Sequence, residues 1–259
     1  MKIYRLGKNA IKTKAKTLKI ADFLNLSVLS VPAAFDWSIV DGKPLTYGMD
    51  GNDAHEDCVF ASACHHIGTW SGNTGPEQVA TAADALAAYS SFAGYDPNNP
   101  ATDGGANMLD VATLWRTKPI FGHKIAAFAV VDLKRLDLVA AAMFLFGGMW
   151  IGWSLPKAWQ GADAWDVSPN GSTSGDWSPG SWGGHATHGP AYSPQLLGIK
   201  SWTANVPVTL PAFSTYAEEG YALISTDLWE RLTGSLCPAG VDGAALQNAL
   251  IQVAARTLR

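Results

Sequence analysis

Cys58 is the residue best placed for covalent chemistry among the three cysteines of the chain, Cys58, Cys64 and Cys237. Asp57 is a good N-cap residue, and apolar side chains recur at helical spacing from there to about Trp70, so Cys58 falls in the first turn of a predicted helix. A helix N-terminus favours negative charge and draws a thiol toward the reactive thiolate. Glu56 and Asp57 oppose this, since like charges raise a thiol's pKa, and must point away for the thiolate to form. A lone helical cysteine is more often a small buried hydrophobe, so Cys58 needs a base to be functional.

His185 is the candidate base. It follows Gly183 and Gly184 into a predicted strand, and two glycines leave room for another chain to approach the imidazole. A thiolate needs a neighbour that holds its proton and returns it to the leaving group, which imidazole does near neutral pH. The two residues are 127 apart in sequence, which is compatible with catalysis because the pairing is spatial. His65 and His66 are read as packing or surface residues. His185 and His188, three apart on a strand, fall on opposite faces, which disfavours a metal site. No Cys/His zinc spacing, phosphate loop or dinucleotide signature is present, so no cofactor is expected.

Four segments, taken in order, resemble the papain-like cysteine proteases: Asn52 six residues before Cys58, Gly184-His185-Ala186, Lys200-Ser201-Trp202, and Glu219-Gly220-Tyr221-Ala222-Leu223-Ile224. The resemblance spans roughly residues 32–226. The chain is also similar to an uncharacterised group met in bacteriophages and prophages, through Gly51-Asn52-Asp53, Asp57-Cys58 and Trp182-Gly183-Gly184-His185-Ala186. The resemblance implies a two-lobed α+β fold with a cleft, Cys58 as nucleophile and His185 as base. It implies that Asn52 and the Cys58 backbone N–H bind the oxyanion, that Ser201 or Asn205 orients His185, and that Trp202 shields that contact. Trp182, Gly184 and Trp202 are then the substrate-facing residues, and Trp153, Trp165 and Trp177 further candidates for the groove.

Four departures accompany it. Lys200 stands where these proteases carry the orienting Asn, and a cation cannot accept the imidazole's hydrogen bond. Asn52 replaces Gln, a loss of about 1.5 Å in reach. Val59 follows the nucleophile in place of Trp, and the family's disulfides have no counterpart.

The elements that must position these residues divide by texture. A basic arm covers 1–31 and the body 32–259: a helical lobe over about 32–123, a sheet lobe over about 124–226 and an extension over 227–259. Helices are expected from Asp57 to Trp70, from Pro76 to Phe92, from Asn107 to Arg116 and from Leu133 to Phe146. Strands are expected at Ile125–Val131, Met149–Leu155, His185–Tyr192, Leu196–Trp202 and Tyr221–Ser225, with a short helix at Pro211–Glu218 and a last one capped by Asp242. Helices first and sheet second is an α+β pattern.

With 259 residues, 47% hydrophobic and 15% charged, the chain can bury a large core without disulfide or metal staples. Seven cations and no acid lie in the first twenty residues, leaving 11 basic against 22 acidic residues on the remainder. Such an arm can lie on its own acidic body, or contact another protein subunit or an anionic polymer. No apolar stretch follows the lysines, so no secretory signal is expected, and the longest apolar run, Leu138 to Trp153, is too short to span a bilayer. A reducing compartment or a phage particle is the expected location.

The leading reading is a thiol hydrolase cleaving a peptide bond. Its rivals are a catalytically silent attachment protein of a phage particle and a peptidoglycan-cleaving thiol peptidase, for which the Cys58 to His185 separation is long.

Overall fold

The computed structural model describes residues 4–13, 17–27 and 29–225. The extension over 227–259, with its Asp242-capped helix and Cys237, lies outside the described residues, as does part of the arm.

Short strands β1 (Phe35–Asp36), β2 (Ile39–Val40) and β3 (Lys43–Pro44) lead into a helical stretch made of α1 (Cys58–Thr74), α2 (Ala82–Ala93) and α3 (Met108–Trp115). Then follow β4 (Ile125–Val130), α4 (Leu136–Leu145), β5 (Met149–Leu155), β6 (Gly183–Tyr192), β7 (Leu196–Ser201), β8 (Ala204–Thr209), α5 (Leu210–Tyr216) and β9 (Ala217–Ser225). The sheet runs β4-β9-β5-β6-β7-β8, with β1 on the far end of β6. Every pairing in it is antiparallel.

The helices form where the sequence predicts, with ends shifted by a few residues. The second does not begin at Pro76, because Thr81 and Asp84 build a reciprocal cap: the Asp84 N–H donates to the Thr81 hydroxyl and the Thr81 N–H to the Asp84 carboxylate. It ends at Gly94 in the left-handed conformation that glycine adopts at low cost. The last strand starts at Ala217, four residues before the expected Tyr221, and β8 is an unforeseen partner of β7.

Two apolar cores result. One lies among α1, α2, α3 and one face of the sheet, and the other among α4, α5 and the remaining sheet residues. Trp150 joins the first helix to the sheet by donating its indole N–H to the Ser62 hydroxyl at 2.7 Å. Trp153 and Trp165 are fully buried, with Trp159 stacked on Trp165 at 4.8 Å. They are core residues rather than groove residues, since rings of this size gain most by leaving water entirely.

The arm is part of the fold. The Val130 N–H donates to the Leu18 carbonyl at 2.7 Å, and Ile20 and Phe23 are buried in the second core.

Candidate active site

Helix α1 begins at Cys58 itself and packs against β6, which carries His185. The thiol sits in that contact, with the Ala186 backbone amide facing the Cys58 sulfur. Cys58 thus lies against the residue that follows His185, and Cys58 and His185 are each 1% exposed.

His185 is held on one edge and one face. Its Nε2 pairs with the Ser201 hydroxyl at 2.9 Å, and the Trp202 ring stacks on the imidazole with centroids 4.5 Å apart. Nδ1 is buried and has no hydrogen-bond partner among the described residues. Of the two orienting candidates, Ser201 meets the imidazole. Asn205 instead accepts a hydrogen bond from the Lys200 ammonium, which also lies over the Tyr47 ring at 4.6 Å. Lys200 thus faces away from His185, and burial brings its pKa down to about 8. Trp202 turns the β7-β8 hairpin with φ of +53°, a conformation costly for a bulky residue. The strain places its indole over the imidazole, and Trp182 stacks behind it at 5.8 Å.

Asn52 is 1% exposed, and its amide donates to the His55 carbonyl at 3.3 Å and faces the Asp57 carboxylate. The bond to His55 ties the Asn52 amide into the turn before the helix. Asp57 does not cap α1 with its side chain. Burial holds its carboxyl well above the usual carboxylate range, with Asn52 opposing and Asp50 adding to the rise.

The far wall of the cleft is a segment the sequence reading passed over, Asp103-Gly104-Gly105-Ala106. The Gly105 N–H donates to the Tyr89 hydroxyl at 2.7 Å, and Tyr89 donates to Asp103 at 3.0 Å. The same Asp103 oxygen accepts the Glu56 N–H at 2.9 Å, which ties this wall to the residues preceding the nucleophile.

Between the walls runs the chain's own arm. The Lys8 N–H donates to the Gly184 carbonyl at 3.1 Å, the Ala106 N–H to the Gly7 carbonyl at 2.8 Å, and the Asn9 N–H to the Ala106 carbonyl at 2.9 Å. Lys8 and Ala106 thereby pair as parallel strands. Glycines make this approach possible. A Cβ at Gly184 would lie 2.2 Å from the Lys8 carbonyl oxygen, and one at Gly105 2.1 Å from that of Gly7. The room that Gly183 and Gly184 were expected to leave beside His185 is filled by Leu6 and Lys8. Tyr4 stacks on Trp202 at 4.3 Å.

Three of the arm's described cations also meet acids of the body: Arg5 faces Glu56 at 3.7 Å, Lys8 pairs with Glu218 and Glu219, and Lys12 with Asp110. Residues 4–12 thus contact their own domain. The complement of acids that draws them is scattered over 56–219 and becomes continuous only on folding.

The Gly7 backbone amide faces the Cys58 sulfur. Even so, burial pushes the thiol up to about 12, with Asp57 adding to the rise and the Gly7 and Ala186 amides and the Lys8 cation opposing it. Burial likewise brings His185 down to about 3, with His65 assisting. The pair is therefore a neutral thiol and a neutral imidazole while the arm is in place. Among the described residues no group of three His, Cys, Asp or Glu side chains could hold a metal, and no helix is long and apolar enough to cross a membrane.

No protein-family model matches the chain, and no curated protein matches it in sequence. Solved structures do match in fold. Xylellain, a cysteine protease from Xylella fastidiosa, is 14% identical with a TM-score of 0.66 over 87% of this chain and 99% of that one. Procathepsin B S9 from Trypanosoma congolense is 10% identical, with a TM-score of 0.57 over 85% of this chain and 86% of that one. The Carica candamarcensis cysteine protease CMS1MS2, solved with E-64, is 13% identical, with a TM-score of 0.50 over 75% of this chain and 99% of that one. The α+β fold expected from the residues is thus a papain-like fold.

Proposed function

We propose that the chain is a thiol peptidase that cleaves peptide bonds through Cys58 and His185, and that residues 4–12 hold it latent. The observation that carries this reading is the fixed imidazole: Nε2 bonded to Ser201, one face covered by Trp202, and Nδ1 uncommitted on the strand that touches the thiol.

With the arm displaced, His185 Nδ1 takes the proton from Cys58, and the sulfur attacks the carbonyl carbon of the peptide to form a tetrahedral intermediate. The oxyanion meets the Cys58 backbone N–H at the start of α1, where the helix dipole also favours negative charge. The imidazolium returns its proton to the departing amine nitrogen as the C–N bond breaks, leaving a thioester. Water, deprotonated by the same imidazole, then attacks the thioester carbonyl and releases the acid and the thiol.

The arm cannot undergo this reaction. It places a backbone N–H, not a carbonyl carbon, at the sulfur, and the Gly7 carbonyl is turned to Ala106.

The full-length Gly7→Leu variant supplies the test, because a Cβ at this position would lie 1.7 Å from the Glu56 carbonyl oxygen and the arm cannot stay seated. Treated with an epoxysuccinyl thiol inhibitor, this variant gains one adduct on Cys58, and the added substitution His185→Ala abolishes it. An opened chain that takes no adduct leaves the silent attachment protein as the better account.

A further inference from the structure

The residue of the arm that follows Gly7 is the most completely bound cation among the described residues. The Lys8 side chain is 1% exposed, and its ammonium meets Glu218 at 3.1 Å, Glu219 at 3.2 Å and the Asn9 carbonyl at 3.2 Å. It donates hydrogen bonds to Asn9 and Glu218, and the Glu219 carboxylate adds its charge without a hydrogen bond. The stem lies in a slot floored by Gly152 and Met108, where a Cβ on residue 152 would come within 2.8 Å of the Lys8 Cε. Glu219, 6% exposed at its side chain, is fixed from behind by the Tyr221 hydroxyl at 2.7 Å. This pocket is one residue along the chain path from the Cys58 sulfur.

Resting on the peptidase reading above, we infer that the Glu218-Glu219 pocket selects substrates carrying Lys or Arg immediately before the residue whose carbonyl Cys58 attacks. The direction follows from the arm. It sets an N–H on the sulfur and runs toward the pocket in the N to C direction. A substrate must set a carbonyl on the sulfur instead. Reversing a strand on the same path exchanges its N–H and C=O positions, so a productive peptide runs the other way and its preceding residue enters the pocket. A buried carboxylate with no cation beside it is costly, so an apolar side chain in the slot leaves Glu219 unpaired while the more exposed Glu218 turns to water. A basic one restores the arrangement that Lys8 has. The pocket thereby serves two occupants in turn, the arm when the cleft is closed and the substrate when it is open.

Binding and cleavage are measured separately. The full-length Gly7→Leu, Lys8→Glu, Cys58→Ala chain, opened and unable to form a thioester, is titrated with fluorescein-labelled hexapeptides that differ only at the pocket residue. Lysine and arginine peptides are expected to bind at least tenfold tighter than norleucine or glutamate peptides. Glu219→Gln, which keeps an acceptor for Tyr221, and Glu218→Gln each reduce that preference severalfold, and together they abolish it. Equal affinities for lysine and norleucine peptides overturn the inference, as does a preference that survives both substitutions. The same peptides are then offered to the opened chain with Cys58 intact. Tight lysine binding without cleavage sinks the peptidase reading and leaves the pocket. Cleavage without a lysine preference does the reverse.

Discussion

Ser201 stands to His185 as the residue that fixes its ring, with 2.9 Å from hydroxyl to Nε2 and both side chains buried. A neutral hydroxyl does this less firmly than a charged partner, and a neutral hydrogen bond is worth about 1 kcal/mol net. Ser201→Ala in the opened chain is therefore expected to lower kcat/KM by about tenfold with little change in fold. Lys200→Asn, which the sequence alignment with an orienting Asn would single out as activating, is expected to leave the rate unchanged, because Lys200 points to Asn205 and Tyr47. Steady-state kinetics on the two variants checks both outcomes, and a rate gain in Lys200→Asn would mean that this side chain reaches the imidazole.

The covered thiol should be inert. With its pKa pushed up to about 12, Cys58 is thiolate at pH 8 in roughly one molecule in ten thousand. Iodoacetamide labelling of Cys58 in the full chain is expected to be slow and to rise tenfold per pH unit up to about pH 11. In Gly7→Leu the thiol gains solvent, its pKa falls, and labelling at pH 8 rises by more than tenfold. Peptide mapping separates Cys58 from Cys64, which burial also holds far above the ordinary thiol range. Equal labelling rates in the two proteins would show that the arm does not control the thiol.

Gly105 carries a φ of +69° and faces the Gly7 carbonyl. Gly105→Ala is expected to cost about 1 kcal/mol of stability for the left-handed backbone, and to displace both the arm and any peptide from that wall. The observable pattern is faster Cys58 labelling together with a raised KM, because one Cβ obstructs both occupants. A raised KM with the arm still seated would separate the two binding modes and contradict their shared path.

Acid should loosen the body through its buried histidines. His66 and His185 are brought down to about 3 by burial, and His188 lies well below its ordinary value, with the His66 and His188 rings 3.8 Å apart. Their unfolded pKa is near 6.5, so below that pH the unfolded chain binds more protons and stability falls as pH drops toward 3. At pH 5 the loss is about 2 kcal/mol for each of His66 and His185. Asp57 and Glu56, both raised by burial, work in the opposite direction but are two groups against three. Urea midpoints at pH 7.5 and 5.0 measure the balance, and a midpoint that does not fall would show that these rings are solvated.

The site was legible where a local signal existed. Asp57-Cys58 at a helix start, the glycines before His185 and the Ser-Trp pair at 201–202 each carry a signal in neighbouring residues, and the fold sets Ser201 and Trp202 on His185 and Cys58 beside Ala186. The pairing of Lys8 with Glu218, 210 residues apart, has no local signal. A basic arm and an acidic body are visible in composition, but which cation meets which acid depends on β9 lying beside the cleft. Gly104-Gly105 could have been recognised as a second backbone wall, since paired glycines outside a turn between strands mark close approach. The Trp residues misled for the opposite reason: Trp153 and Trp182 have similar polar and glycine neighbours in sequence, and only the sheet decides which is buried.

Casein hydrolysis tests the central claim most directly. Full-length Gly7→Leu is incubated with casein beside its Cys58→Ala and His185→Ala derivatives, and new amino termini are counted over time. The account predicts cleavage by Gly7→Leu that exceeds the unmodified chain, and loss of at least 99% of it in either derivative, since no other residue supplies the covalent intermediate. Cleavage that persists without Cys58, or a folded, opened chain that labels readily at Cys58 yet releases no amino termini, would contradict it.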